Sequence, residues 1–413
     1  MTASVIVVSY RPGEWLAPCL ASVLGQADQV VLVDNGSDGA LASIIGRRAG
    51  AHVVRSHVNR GFAGGVNLGV GAATGDVLAL LNDDAVAGPT WLVEAAKALA
   101  DPTVAVVGPK VVLWRRYREV VLPDEEWRAP GDDRPLGRQV RSVLVNGAEL
   151  LTSAAGPGLH RLEGGAPGDQ WRWTAGPRPW YVPLPEPDSE ADISIDGQGV
   201  PPGPVVRLVN SAGAFLDTRG YGGDIGSDTA DDGRFDEPGE RFAVSGVAFV
   251  TTMATWHRLG PFAARFFAYY EDIDWCWRAR LAGLTVLYEP SATVEHRRSA
   301  SSGGEHRPEV RVMAERNRTL ALVRNGPLAR VTRGLSDRAR NGPDEGVRAG
   351  IVRLLPWAMA TRTGMARSWR LRPEEVWSRW AGQGVEWADG PAGPKAIVAR
   401  APGRRQGPGP ALQ

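Results

Sequence analysis

The sequence predicts an α/β domain built on a mostly parallel sheet flanked by helices, with a loop-rich insertion and a C-terminal helical extension. Three observations predict it. Short β-branched runs alternate with amphipathic segments of helical spacing up to about Arg115. The links between them are short, which suits strands laid side by side and parallel. Polar clusters fall where the strand-like runs end, the edge at which open α/β sheets bind ligands.

Residues 4–10 form a β-branched run ending in a polar loop, the pattern of a strand buried on both faces. Over 13–26, Trp15, Leu16, Leu20, Val23 and Leu24 fall on one helical face. A second strand is expected over 29–33, stopped by Asp34-Asn35-Gly36-Ser37-Asp38. A helix over 41–48 follows, then a third strand over 51–55 and a small-residue helix over 62–73. A fourth strand over 76–81, a helix over 89–100 and a fifth strand over 104–107 complete the alternation. Residues 116–204 are rich in Pro, Gly, Trp and charge and hold no sustained period, so they read as short strands and long loops, partly ordered at best. Trp127, Trp171, Trp173 and Trp180 lie there, either packing or offering a flat stacking surface to a ligand. Regular signals return over 205–209 and 243–252, then as a helix over 271–281 and a strand over 285–288. A helix over 308–324 stops at Asn325-Gly326-Pro327. The expected division is 1–115 and 205–325 as two halves of one domain, 116–204 as insertion, 326–400 as basic helical extension and 401–413 as disordered tail. No internal repeat is apparent.

A length of 413 residues and an apolar fraction of 43% suit one large globular domain with appendages. A net charge of +1 gives no whole-chain field for nucleic acid, and no such partner is expected. From Arg297 onward there are 22 basic and 10 acidic residues, so an acidic body carries a basic tail, suited to an anionic surface. Two cysteines, Cys19 and Cys276, exclude a disulfide framework and read as reduced core thiols. No apolar run approaches about 18 residues, and no basic n-region precedes the first apolar run, so neither a spanning helix nor a signal peptide is expected. The expected place is the cytoplasm.

Two acidic clusters carry the chemistry. Asn82-Asp83-Asp84 closes an apolar strand, and adjacent carboxylates there offer hard oxygen ligands to Mg²⁺ or Mn²⁺ and, through it, to a diphosphate. The plainer alternative is a turn with a helix cap. Glu271-Asp272 heads a helix behind the aromatic run 266–270, where the helix dipole stabilises a carboxylate fit to act as a general base. Capping is the alternative. Asp34-Asn35 can accept from a nucleobase N–H or a ribose hydroxyl, or close an Asx-turn. Asn59 to Asn67 is a glycine-rich turn into a helix that can bring backbone N–H groups to phosphate, although G-x-G-x-x-G is absent. His296, in Val294-Glu295-His296-Arg297-Arg298, is either structural or a metal ligand near the diphosphate.

In this order the motifs resemble those of family 2 glycosyltransferases with the GT-A fold. The matching parts are Val5-Ile6-Val7-Val8-Ser9-Tyr10, Val33-Asp34-Asn35-Gly36-Ser37, Asn59 to Gly69, and Leu81-Asn82-Asp83-Asp84. Further on come Ser245-Gly246-Val247-Ala248, Arg265-Phe266-Phe267 with Glu271-Asp272-Ile273-Asp274, and His296. The resemblance covers about 1–115 and 205–325 and is nearest in flavour to bacterial rhamnosyltransferase-like members. It implies an inverting transfer of a sugar, rhamnose as first guess, from a nucleotide-diphosphate donor to a saccharide or polyprenyl-linked acceptor in cell-envelope polysaccharide synthesis.

The resemblance also implies roles. The 1–115 half would bind the nucleotide sugar, with Tyr10, Asp34, Asn35, Asn67 and Asp83 on the nucleotide. Asp84 and His296 would hold Mg²⁺ or Mn²⁺. The 205–325 half would bind acceptor, with Asp272 as base beside Glu271. Asn82 stands where the family's usual first aspartate lies, which leaves Asp84 as the main ligand. Over 347–380, arginines interleave with apolar residues, as in a helix lying on anionic lipid at the inner membrane face or one packed on the catalytic domain. A non-catalytic scaffold of the same fold is the alternative function, and a sugar-nucleotide pyrophosphorylase a remoter one. The scaffold would be expected to lack Asp84 or Asp272, and both are present.

Overall fold

A computed structural model describes residues 1–130, 132, 134–160, 162–164, 166, 168–185, 191–201, 203–298, 308–341, 345–382, 385–390 and 393–399. The expected tail 401–413 lies outside them. The first part runs β1 (Ala3–Ser9), α1 (Leu16–Leu24), β2 (Gln29–Asn35), α2 (Leu41–Ala49), β3 (His52–Ser56), α3 (Gly61–Val70), β4 (Val77–Asn82), β5 (Ala85–Ala87), α4 (Trp91–Ala98) and β6 (Val104–Val120). Every residue of β1 is buried, which explains its unbroken apolar run. Strands β3, β2, β1 and β4 lie in that order and run parallel. Alternate residues feed two cores. Ile6 and Val8 face Ala63, Val66 and Val70 of α3, while Val5 and Val7 face Leu16, Leu20 and Val23 of α1.

Strand β6 continues well past the expected end at residue 107. Its first ten residues are buried, and its second half is only partly so, which is why charged residues enter its sequence while the ladder continues. That second half holds the insertion. Here lie β7 (Val143–Val145), β8 (Trp180–Pro183) and β9 (Ile193–Ile195), followed by β10 (Val205–Ser211). Strands β8 and β10 pair with β6, and β7 pairs with β9. The insertion has many loops, as expected, and also a core of its own that includes Val120, Val143, Val145, Trp180, Val182 and Ile193. Trp180 is fully buried there, and Trp127 meets Trp173 edge to face at 5.8 Å.

The chain then returns to the central sheet as β11 (Ala248–Thr252), α5 (Met253–Leu259), α6 (Glu271–Leu281) and β12 (Thr285–His296). Strand β11 lies antiparallel between β4 and β6, and β12 runs parallel to β6. Helices α7 (Pro308–Asn325), α8 (Leu328–Asn341), α9 (Glu345–Met365) and α10 (Pro373–Trp380) follow. Among the described residues the last helix ends at Trp380, and β13 (Val385–Gly390) pairs with β14 (Gly393–Ala399) as a hairpin. Helix α9 buries Val347, Ile351, Leu354 and Ala358, and Arg362 donates to the Val323 and Gly326 carbonyls at 2.8 Å. Most of its apolar residues are therefore used in packing. Val352 (72% exposed) and Met359 (44%) stay outside with Arg348 and Arg353. Among the described residues no helix is long and apolar enough to cross a membrane. Cys19 and Cys276 are both buried and free.

Candidate active site

The carboxyl ends of β1, β2 and β4 gather the first set of candidate residues. Ser9 closes β1 and donates from Oγ to Asp83 Oδ2 at 2.6 Å. Burial pushes the Asp83 carboxyl up to about 7, with the Ser9 hydrogen bond opposing and the Asp84 charge adding to it. Tyr10 follows, partly exposed, with the Arg11 guanidinium 5.3 Å from its ring centre.

Asp34 and Asn35 are both buried. Asp34 accepts from the Ser37 and Ser43 amides at 2.8 and 3.2 Å and from the Ser43 hydroxyl. Burial alone would raise its pKa, but these hydrogen bonds outweigh it and the value is lowered. Its carboxylate is thus turned into the loop it closes, the Asx-turn arrangement. Asn35 donates to the Gly61 carbonyl at 3.1 Å and accepts from the Arg60 amide at 3.0 Å, tying β2 to the glycine-rich turn. Asn67 bonds the Phe262 backbone in both directions, at 2.9 and 3.0 Å, so its polar atoms join α3 to the later half of the chain.

Asp84 and His296 come together from 212 residues apart, because β12 pairs antiparallel with β5 and sets His296 opposite Ala85. His296 Nε2 lies 3.1 Å from Asp84 Oδ1, and its Nδ1 lies 2.6 Å from Asn210 Oδ1 on β10. An amide oxygen is an acceptor, so Nδ1 carries the hydrogen and Nε2 is aimed at the carboxylate. An imidazole nitrogen and a carboxylate oxygen brought together in a buried site form a donor set that a divalent cation can use. Among the described residues no group of three or more His, Cys, Asp or Glu side chains is placed to hold a metal ion. The pair nonetheless fits Mg²⁺ or Mn²⁺, which take few protein ligands and complete their shell with water and phosphate oxygens.

The second set enters through β11. The Asn82 amide donates to the Val247 carbonyl at 2.9 Å, and the neighbouring Gly246 amide donates to Asp272 Oδ2 at 2.7 Å. One short segment therefore connects the end of β4 to the first turn of α6. Asp272 Oδ1 accepts from the Ile273 amide at 2.7 Å. Burial raises the Asp272 pKa against these hydrogen bonds, and burial together with the Asp272 charge raises Glu271 well above its ordinary range. Glu271 Oε2 is buried and has no hydrogen-bond partner among the described residues. Each carboxylate oxygen of Asp272 keeps lone-pair capacity for a further donor, so a hydroxyl could be accepted there. Asn210 was not singled out from the sequence. Its partner is 86 residues away, and no local pattern marks it.

Comparison with known proteins bears on family and fold. The model of glycosyl transferase family 2 matches residues 4–132. Two relatives, from Mycobacterium tuberculosis strains CDC 1551 and H37Rv, bear the name N-acetylglucosaminyl-diphospho-decaprenol L-rhamnosyltransferase. Each is 25% identical over 308 residues, which cover 72% of this chain and 77% of the relative. The crystal structure of GalNAc-T7 with UDP, GalNAc and Mn²⁺ is similar in fold, with a TM-score of 0.52 at 14% identity. The match covers 92% of this chain but spans only 56% of that one. The fold is GT-A.

Proposed function

We propose that this chain, a family 2 glycosyltransferase of rhamnosyltransferase-like type, moves a sugar from a nucleotide-diphosphate donor to an acceptor hydroxyl with inversion at the anomeric carbon. The observation that carries the reading is Asp272, a carboxylate fixed by the Gly246 amide and joined by one segment to the Asp84–His296 pair. In the proposed step Asp272 takes the acceptor proton while the acceptor oxygen bonds the anomeric carbon. The bond from that carbon to the diphosphate oxygen breaks, and its electron pair leaves with the nucleoside diphosphate. Holding both reactants in line supplies much of the rate. Asp84 and His296 would hold Mg²⁺ or Mn²⁺, which when bound offsets charge on the leaving diphosphate. The relatives' name supports rhamnose as the sugar and a polyprenyl-diphosphate-linked N-acetylglucosamine as acceptor. Peripheral contact with anionic lipid through the outer face of α9 would bring the chain to such an acceptor.

Calorimetric titration with dTDP and with UDP, with and without Mn²⁺, tests the donor half. Metal-dependent binding that Asp84→Ala weakens is expected. Absence of binding to both nucleotides would favour a scaffold that has kept only the fold. Transfer from dTDP-rhamnose to N-acetylglucosaminyl-diphospho-decaprenol tests the sugar and the acceptor.

A further inference from the structure

The turn that delivers Asp272 to its place is held in an unfavourable backbone shape. Phe267, Tyr269 and Tyr270 have φ values of +70°, +68° and +73°, in the region L side chains rarely adopt. Such a shape persists only where the surroundings impose it. On one side the Phe267 carbonyl accepts from the Ala63 amide of α3 at 3.1 Å. It packs so closely on Gly61 that a Cβ there would lie 2.2 Å from its oxygen. On the other side stands Asn317 of α7, fully buried. Its Nδ2 lies 2.9, 2.8 and 2.8 Å from the carbonyl oxygens of Phe266, Ala268 and Tyr269. Arg316 orients that amide, donating from Nε to Asn317 Oδ1 at 2.9 Å and from Nη2 to the Phe266 carbonyl at 3.0 Å.

We propose that Asn317 is the positioning residue of the catalytic base: it fixes the 266–270 turn, and through it the first turn of α6, without touching either substrate. The inference rests on the reading of Asp272 as base. The Asn317 amide has two N–H donors for these three carbonyls, and Arg316 Nη2 supplies a further one to the Phe266 carbonyl, so the pair together meets the buried acceptors of the turn. A turn released from this clamp can relax toward ordinary backbone angles, and Asp272 would move with it. The donor-binding strand ends belong to other elements and would stay in place.

The test uses the full chain. Asn317→Ala and Arg316→Met are compared with Asp272→Asn and wild type, first by titration with dTDP and UDP in Mn²⁺ to count folded sites. Transfer from dTDP-rhamnose to N-acetylglucosaminyl-diphospho-decaprenol then gives kcat and the donor KM. The Asp272 carboxyl is followed by ¹³C NMR against pH, a readout that needs no substrate, with its resonance assigned by Asp272→Asn. Expected for Asn317→Ala are a kcat loss on the order of 10–100-fold, a donor KM within about threefold, and a carboxyl pKa moved back toward the ordinary range. Arg316→Met should move both in the same direction by less. Asn317→Ala with unchanged kcat and unchanged carboxyl titration overturns the proposal. If Asn317→Ala fails to bind one nucleotide per chain, Arg316→Met decides on the same two readouts. An active Asp272→Asn would instead remove the base assignment itself and leave the NMR result to judge the clamp.

Discussion

At the scale of single residues, burial sets the chemistry more than sequence position does. In the proposed step Asp272 must lose its proton, and its pKa is raised, so the ionised form is reached only at higher pH than for a free aspartate. The kcat/KM profile should therefore fall on acidification with a limb above the ordinary value of about 4. A limb at or below that value would contradict the raised pKa. Asp272→Asn should cost roughly 10²–10⁴-fold in kcat and leave nucleotide affinity intact, which calorimetry checks beside the kinetics. His296→Ala should weaken nucleotide binding in Mn²⁺ much more than in its absence. Legibility at this scale was uneven. The Asp83-Asp84 and Glu271-Asp272 clusters announce themselves because acidic pairs follow apolar or aromatic runs. Asp34 and Asn67 carry the right chemistry but point it inward, at Ser43 and at the Phe262 backbone. Which way a polar side chain turns is decided by tertiary partners that the local sequence does not contain. Asn210 and Asn317 were missed for the same reason.

Among the elements, α6 depends on charge buried beneath it. Asp274 is fully buried and accepts from Arg324 at 2.7 and 3.1 Å, from Arg278 at 3.1 Å and from Asn325 at 2.8 Å. Burial would raise its pKa, but the two guanidinium groups outweigh that and lower it. A lowered pKa stabilises the fold fully above the ordinary carboxylate value. The contribution is lost as pH falls through that value toward the lower folded one. Asp274→Ala leaves two buried arginines without their carboxylate and should cost about 3–5 kcal/mol in urea unfolding, a loss that narrows under acid. Equal stability of mutant and wild type at neutral pH would refute it. The bounds of α6 matched expectation because acidic residues open it and Gly283 follows it. The insertion was read less well. Asn146-Gly147 and Asp196-Gly197, all with positive φ, make two tight hairpin turns after β7 and β9. That dipeptide signal was present in the sequence and was obscured by the surrounding Pro and Trp.

For the whole molecule, the C-terminal helices join the active site to an outer surface. Trp357 of α9 meets Phe266 edge to face at 5.9 Å, just before the turn that carries Asp272, while Val352 and Met359 face outward among arginines. Cosedimentation with vesicles should show binding to phosphatidylglycerol-containing lipid and little to pure phosphatidylcholine, reduced by salt and by Val352→Asp with Met359→Asp. Equal binding of wild type and double mutant would remove α9 as the contact. The two acidic sites, in turn, are separated by a single antiparallel pairing, Ala248 opposite Leu81 through Thr252 opposite Val77. Strand registers change only in whole residues, about 3.3 Å at a time, and each step turns every side chain to the other face. The spacing between the Asp83-Asp84 strand end and the segment that holds Asp272 is thus a ruled interval with coarse divisions. Drift among descendants of this chain can reshape the loops and the insertion, but it cannot lengthen that interval gradually without first unmaking the sheet.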